Sequence, residues 1–283
     1  MRVRQWNKNL FLFAPLVFSK RLFEKAAFLE VLFGFLMFSL AASSVYIFND
    51  LKDIESDRRH PKKRFRSLPS GEISAQLATF ISVALCVSAL AISFLIDSKF
   101  GFIVLIYVII NVLYSIVLKS LVIIDVMVIA ASFALRVLAG ATVVRVYPSN
   151  WLIICTILLS LFLSFSKRRH ELVSLEGDAS SQRQVLEHYS PYFLDQMTAV
   201  VTATTVMSYM LYTVSEETIR FFGTRQLIWT VPLVLYGIFR YLYLVHQEKS
   251  GGDPSEIVLK DKPLLINIIL WVFSCIALIY GFK

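Results

Sequence analysis

The chain has 283 residues, 57% of them hydrophobic, with mean hydropathy +0.68 and a formal net charge of +8. Soluble domains rarely reach that hydropathy, so the composition describes a multi-span membrane protein with no separate soluble module. Lipid admits only helices and closed barrels, and alternating segments of barrel type are absent, which leaves an all-α polytopic bundle.

The first apolar run, 9–19, follows Arg2, Arg4 and Lys8. Lys20-Arg21 comes directly after it in place of a small-residue cleavage site, so it reads as a first span kinked at Pro15 rather than a signal peptide. Uncharged runs follow at 31–49, 73–96, 100–118, 146–166, 196–215 and 263–282. Each is long enough to cross ~30 Å of hydrocarbon at ~1.5 Å per residue. Two further runs, 121–144 and 226–245, are interrupted by Asp125 and Arg136 in the first and Arg240 in the second. The sum is a nine-helix transmembrane bundle in one domain over 1–283, with no repeat of fixed period.

With the N-terminus inside, segments 1–8, 50–72, 119–120, 167–195 and 246–262 are cytoplasmic, and they hold most of the Lys and Arg. The positive-inside rule favours this orientation, which predicts a multi-pass protein of the inner (cytoplasmic) membrane with its polar clusters on the cytoplasmic face. Basic charge on short loops beside spans suits anionic lipid heads and an anionic substrate rather than nucleic acid. Cys86, Cys155 and Cys275 lie far apart in apolar runs with no metal-ligand spacing and read as small buried residues, and the four histidines form no ligand pattern, so no zinc site is expected. No serine elbow or Walker loop is present.

Asn49-Asp50-Leu51-Lys52-Asp53-Ile54-Glu55-Ser56-Asp57 follows the second span and precedes a basic run from Arg58 to Arg66. Carboxylates at i, i+3 and i+7 share a helix face, and three like charges there call for a cation. Oxygen ligands beside basic residues at a membrane rim point to Mg²⁺ holding a phosphorylated substrate; a solvated loop of mixed charge is the plainer alternative. Lys167-Arg168-Arg169-His170-Glu171 closes the sixth span, with Glu176 and Asp178 beyond it. It reads either as a stop-transfer cluster or as a phosphate clamp. Tyr114 to Lys119 closes the fourth span, where Lys119 is either a snorkelling lysine or a site cation. Arg136 lies deeper, open to a structural partner on another helix or to substrate. Ser250-Gly-Gly-Asp-Pro254 and Lys260-Asp-Lys-Pro263 read as a connector or a lid.

Asn49-Asp-x-x-Asp53-x-x-x-Asp57, a second polar motif after helix 6 and nine spans together resemble the UbiA superfamily of intramembrane prenyltransferases. The second motif departs from the superfamily's Asp-x-x-x-Asp, with Lys167 to Glu171 in its place. Arg4 to Asn9 with Phe13-Ala-Pro15, Tyr114 to Lys119, Phe133 to Gly140, Ser166 to Glu171 and Gly252 to Asp261 resemble the decaprenyl-phosphate phosphoribosyltransferase branch. That resemblance implies transfer of 5-phosphoribose from phosphoribosyl pyrophosphate to a polyprenyl phosphate, for cell-envelope arabinan-type precursors. It implies Mg²⁺ on Asp50 and Asp53, with Asp57 a third ligand or a ribose contact. Asn49 becomes a ligand or orienter. Lys8, Arg58, Arg66, Tyr114, Lys119, Lys167 and Arg168 become substrate contacts, and Glu171 and Asp178 contacts to ribose hydroxyls. A prenyltransferase acting on an aromatic or quinone precursor shares the first motif and is the alternative. A transporter would show inverted repeats with broken mid-membrane helices. Apolar outer faces suit lipid or a second subunit equally, which leaves a homo-oligomer open.

Overall fold

The computed structural model describes residues 3–59, 63–174, 184–247 and 254–281, and among these every regular element is helical. Asp178 and the 250–253 turn fall outside the described residues. Eight stretches are long and apolar enough to cross a membrane. They are α2 (Lys25–Lys52), α4 (Ala75–Ile96), α5 (Ser98–Ile116), α6 (Ile124–Val143), α7 (Asn150–Ser174), α8 (Pro191–Val214), the 3-10 turn Gln226–Thr230 with α10 (Val231–His246), and α12 (Lys262–Gly281). Short helices α1 (Ala14–Phe18), α3 (Ile54–Arg59), α9 (Glu216–Phe222) and α11 (Pro254–Lys260) lie between them. With so many apolar helices, the chain is an integral multi-pass membrane protein.

Helix ends follow local chemistry. Ser74, Asp97 and Ser190 each accept the amide proton three residues on, at 3.2, 3.0 and 3.1 Å, which starts α4, α5 and α8. Pro191 then occupies the first turn of α8, where its missing N–H is no loss. Helix α7 runs past the predicted end at 166 and carries the whole basic cluster. Cations are favourable at a helix C-terminus, and long side chains carry their charge back to water.

The 9–19 run differs from an ordinary span. Its first part belongs to the 3-10 helix Val3–Phe13, and only Ala14–Phe18 is α-helical. A 3-10 helix rises ~2.0 Å per residue, so this segment still covers roughly 30 Å. Trp6 and Asn9 donate to Ser43 and Ser39 of α2 at 3.0 and 2.9 Å, which holds the segment against that helix.

The chain divides into two compact units, Met1–Pro148 with Ser180–Val185, and Ser149–Ala179 with Leu186–Lys283. In the first, α2 and α6 are the inner helices: 61% of each apolar window is buried, against 17% for α4. They meet where Gly34 of α2 lies against Val143 of α6, a Cβ at Gly34 falling 3.0 Å from Val143 Cγ2, so a small residue permits the approach. In the second, α7 packs on α8 and α10 on α12. Asn267 of α12 donates to the Leu233 carbonyl at 2.9 Å.

Candidate active site

Asp53 is the boundary residue of α2, and α3 begins at Ile54. The backbone ladder nevertheless continues, with Asp53 N bonded to Asn49 O at 3.0 Å and Asp57 N to Asp53 O at 2.7 Å. Asp50 and Asp57, seven residues apart, therefore reach one guanidinium. Arg66 Nη1 lies 2.7 Å from Asp57 Oδ2 and 3.6 Å from Asp50 Oδ1. Lys119 Nζ lies 2.6 Å from Asp53 Oδ1, and Asn49 Nδ2 donates to Asp53 Oδ2 at 3.1 Å. The cation that three clustered carboxylates require is thus supplied by two residues of the chain itself.

Lys119 is delivered by the 3-10 turn Leu118–Ser120 between α5 and α6. The chain leaves that turn through Ile123 at φ 67°, a conformation disfavoured for a β-branched residue. Tyr114 is half-buried near the end of α5, and Lys8 is half-buried on Val3–Phe13. Arg58 is not drawn to the acids. It bonds Glu55 at 3.0 Å, and both side chains are exposed.

Among the described residues no three His, Cys, Asp or Glu side chains gather around one metal position. Arg66 links Asp50 and Asp57 instead, and Asp57 is only 4% exposed. Mg²⁺ does not need an all-protein cage. It is commonly held by one or two carboxylates with substrate phosphate and water completing the octahedron. The hard oxygens of Asp50 and Asp53, one turn apart at the end of α2, fit that pattern.

The second motif lies in the other unit, on the last turns of α7. Arg168 Nη1 bonds Glu171 Oε2 at 2.7 Å, and Lys167 Nζ is 4.0 Å from Glu171 Oε1. Arg168 is 1% exposed, whereas Lys167 is about a third exposed. Arg169 pairs with Asp195 of α8, and His246 Nε2 of α10 lies 3.3 Å from the same carboxylate oxygen. Asp195 and His246 carry no motif in the sequence. They are separated from Arg169 by 26 and 77 residues, and only the packing of α7, α8 and α10 unites them. The signal available was a single acid in the opening turns of an otherwise uncharged span.

Arg136 has a structural setting. Its Nε donates to Asn9 Oδ1 at 2.8 Å, Nη1 to Ser132 O at 2.7 Å and Nη2 to the Tyr107 hydroxyl at 3.1 Å. Phe38, Tyr107 and Phe133 present their rings 4.9 to 5.4 Å from the guanidinium. Every one of these partners is neutral. A cation at membrane depth is tolerated here by hydrogen bonds and ring quadrupoles. Arg240, the other intramembrane cation, bonds Asp261 at 3.2 and 2.7 Å through two nitrogens. Asp261 also accepts the Leu264 amide proton at 2.9 Å and so caps α12.

Comparison with known proteins matches this architecture over nearly its whole length. A decaprenyl-phosphate phosphoribosyltransferase of Corynebacterium glutamicum is 31% identical over 99% of this chain and 85% of its own length. The protein of the same name from Mycolicibacterium smegmatis is 31% identical over 99% of this chain and 91% of its own. A UbiA homolog from Archaeoglobus fulgidus, solved bound to GPP and Mg²⁺, superposes with TM-score 0.76 at 21% identity over 98% of this chain and 97% of that one. That likeness shows the fold. The model of the UbiA prenyltransferase family matches residues 11–281, and the chain therefore belongs to that family.

Proposed function

We propose that the protein transfers 5-phosphoribose from phosphoribosyl pyrophosphate to a polyprenyl phosphate at the cytoplasmic face of the inner membrane. The observation that carries this is the match to both phosphoribosyltransferases across 99% of the chain. The basic second motif supports it. A site built for a diphosphate between two acidic motifs has no use for Lys167, Arg168 and Arg169 at this position, whereas two phosphorylated substrates bring charge that needs them.

A phosphate oxygen of the lipid attacks ribose C1 as the bond from C1 to the pyrophosphate oxygen breaks. The transition state has oxocarbenium character, as in other glycosyl transfers. The nucleophile is already ionised, so no residue is needed as general base. The protein holds the two substrates in line and stabilises charge on the leaving group. Asp50 and Asp53 would hold Mg²⁺, which would supply positive charge to offset that developing on the pyrophosphate leaving group. Asn49 orients Asp53, and Asp57 orients Arg66. Lys119 and Arg66 change partner from carboxylate to phosphate as the donor arrives, with Lys8 and Tyr114 as further contacts. Lys167 is a candidate phosphate contact, and Glu171 and Asp178 are candidates for the ribose hydroxyls.

Asp50→Ala and Asp53→Ala each reduce Mg²⁺-dependent transfer by more than ~100-fold, since even outer-shell partners of metals are worth 10–100-fold. Full activity in either variant, measured with purified protein, contradicts the metal assignment.

A further inference from the structure

Inside the first unit a row of polar side chains is bonded from helix to helix. Arg136 of α6 donates to the Tyr107 hydroxyl of α5 at 3.1 Å and to the Ser132 carbonyl at 2.7 Å. One turn further along α5, Asn111 Nδ2 donates to the Tyr107 carbonyl at 2.8 Å and to Ser132 Oγ at 3.0 Å. Those two bonds use both amide protons of Asn111. The Tyr107 carbonyl only accepts, so the amide nitrogen must face it and the amide oxygen is turned away from it. Asn111 is half-buried, and its Oδ1 has no partner among the described residues.

We propose that Asn111 Oδ1 accepts a hydrogen bond from a hydroxyl of the donor's sugar and so helps select a hydroxylated donor over a prenyl diphosphate. The proposal rests on the phosphoribosyl reading above and adds a residue that reads the sugar. Position is the first support. Asn111 and Tyr114 are three residues apart and share a face of α5, and Lys119 follows eight residues on, about 12 Å at ~1.5 Å per residue. Lys119 pairs with Asp53 of the first motif. A donor held there by its pyrophosphate brings its sugar to this face of α5. Chemistry is the second support. An amide oxygen whose N–H groups are both committed offers an acceptor alone, which suits an O–H and not an ionised phosphate oxygen. Ribose has hydroxyls to give. A prenyl chain has none, and at this level it would cover the oxygen without pairing it. Preorganisation is the third. Arg136, 3% exposed, holds Tyr107 and Ser132, the two residues that hold the amide, so the amide cannot turn without breaking bonds on both helices.

The test measures Mg²⁺-dependent binding of phosphoribosyl pyrophosphate, its 2-deoxy and 3-deoxy analogues, and inorganic pyrophosphate. The proteins are the purified full chain, Asn111→Leu and Asn111→Ala. Pyrophosphate keeps the metal and Lys119 contacts and has no sugar. The expected result is that one deoxy analogue binds the unaltered protein up to about tenfold more weakly than the parent, the worth of one neutral hydrogen bond. Each variant weakens the parent by the same factor, leaves that analogue nearly unaffected and leaves pyrophosphate unchanged, the non-additivity of two changes to one contact. Deoxy analogues that both keep the parent's affinity for the unaltered protein overturn the proposal, a result that depends on no variant. So does an equal loss of all four ligands in the variants, which makes Asn111 a staple between α5 and α6. If the unaltered protein prefers phosphoribosyl pyrophosphate to pyrophosphate and both variants keep that preference in full, the donor stands and the role of Asn111 fails. If the unaltered protein shows no such preference and binds geranyl diphosphate more tightly, the phosphoribosyl reading fails and the proposal with it.

Discussion

Asp53 sits where one helix hands over to the next and takes partners from two directions, Lys119 from the α5–α6 turn and Asn49 from its own helix. Both Asp53 and Lys119 are about a quarter exposed, so their ion pair contributes no more than ~1 kcal/mol to folding. Its importance lies in what the lysine does when a more highly charged anion replaces the carboxylate. Lys119→Met is expected to raise KM for the pyrophosphate donor by ~10–100-fold, the worth of a charged hydrogen bond, while thermal stability changes little. A large loss of stability with KM unchanged would make Lys119 a structural residue. The acids and the neighbouring cations were legible in the sequence from spacing alone. Which cation meets which acid was not, because Arg66 reaches back over nine residues and Lys119 comes from 66 residues away.

At the scale of elements, spans were legible because lipid leaves an uncharged run little choice but a helix. The exceptions are local. The N-terminal segment winds as a 3-10 helix and lies so close to α6 that the Gly140 position has no room for a side chain. A Cβ there would sit 2.0 Å from the Leu12 carbonyl oxygen. Gly140→Ala must therefore push the Val3–Phe13 segment off α6, which also strains the Asn9–Arg136 bond. A lowered melting temperature in detergent is expected, by at least the ~1–3 kcal/mol of an orphaned buried polar group. Unchanged melting would mean that the segment is not docked. The α10–α12 pair carries the other element-scale prediction. Hydrogen bonds from Arg240, with the Leu264 amide adding to them, hold the Asp261 carboxyl below the ordinary carboxylate range, against the opposing effect of burial. A depressed folded-state pKa stabilises above the unfolded value of ~3.9 and is lost as pH falls through the lower folded value. The melting difference between the unaltered protein and Asp261→Asn should stay constant from about pH 5 to 8 and shrink below about pH 4. A difference that instead grows toward low pH contradicts the ion pair.

Across the whole molecule, sequence pattern, fold and relatives converge on a UbiA-family membrane protein whose two polar motifs differ in sign. The first is acidic, and its three carboxylates are partly balanced within its own unit by Arg66 and Lys119. The second is basic, and its charges are partly absorbed by Glu171 and Asp195. Asp195 and His246 were not legible, since nothing in a lone acid near the start of an apolar run announces a partner on another helix. Under the proposed function, that difference in sign is what favours a donor carrying ribose over one carrying a prenyl chain. The decisive measurement incubates purified protein and Mg²⁺ with labelled phosphoribosyl pyrophosphate and decaprenyl phosphate, then extracts the lipid. Label in the lipid phase, lost on chelation of Mg²⁺, is the predicted result. No lipid-soluble label, together with transfer of a prenyl group from a prenyl diphosphate to an aromatic acceptor, would contradict it.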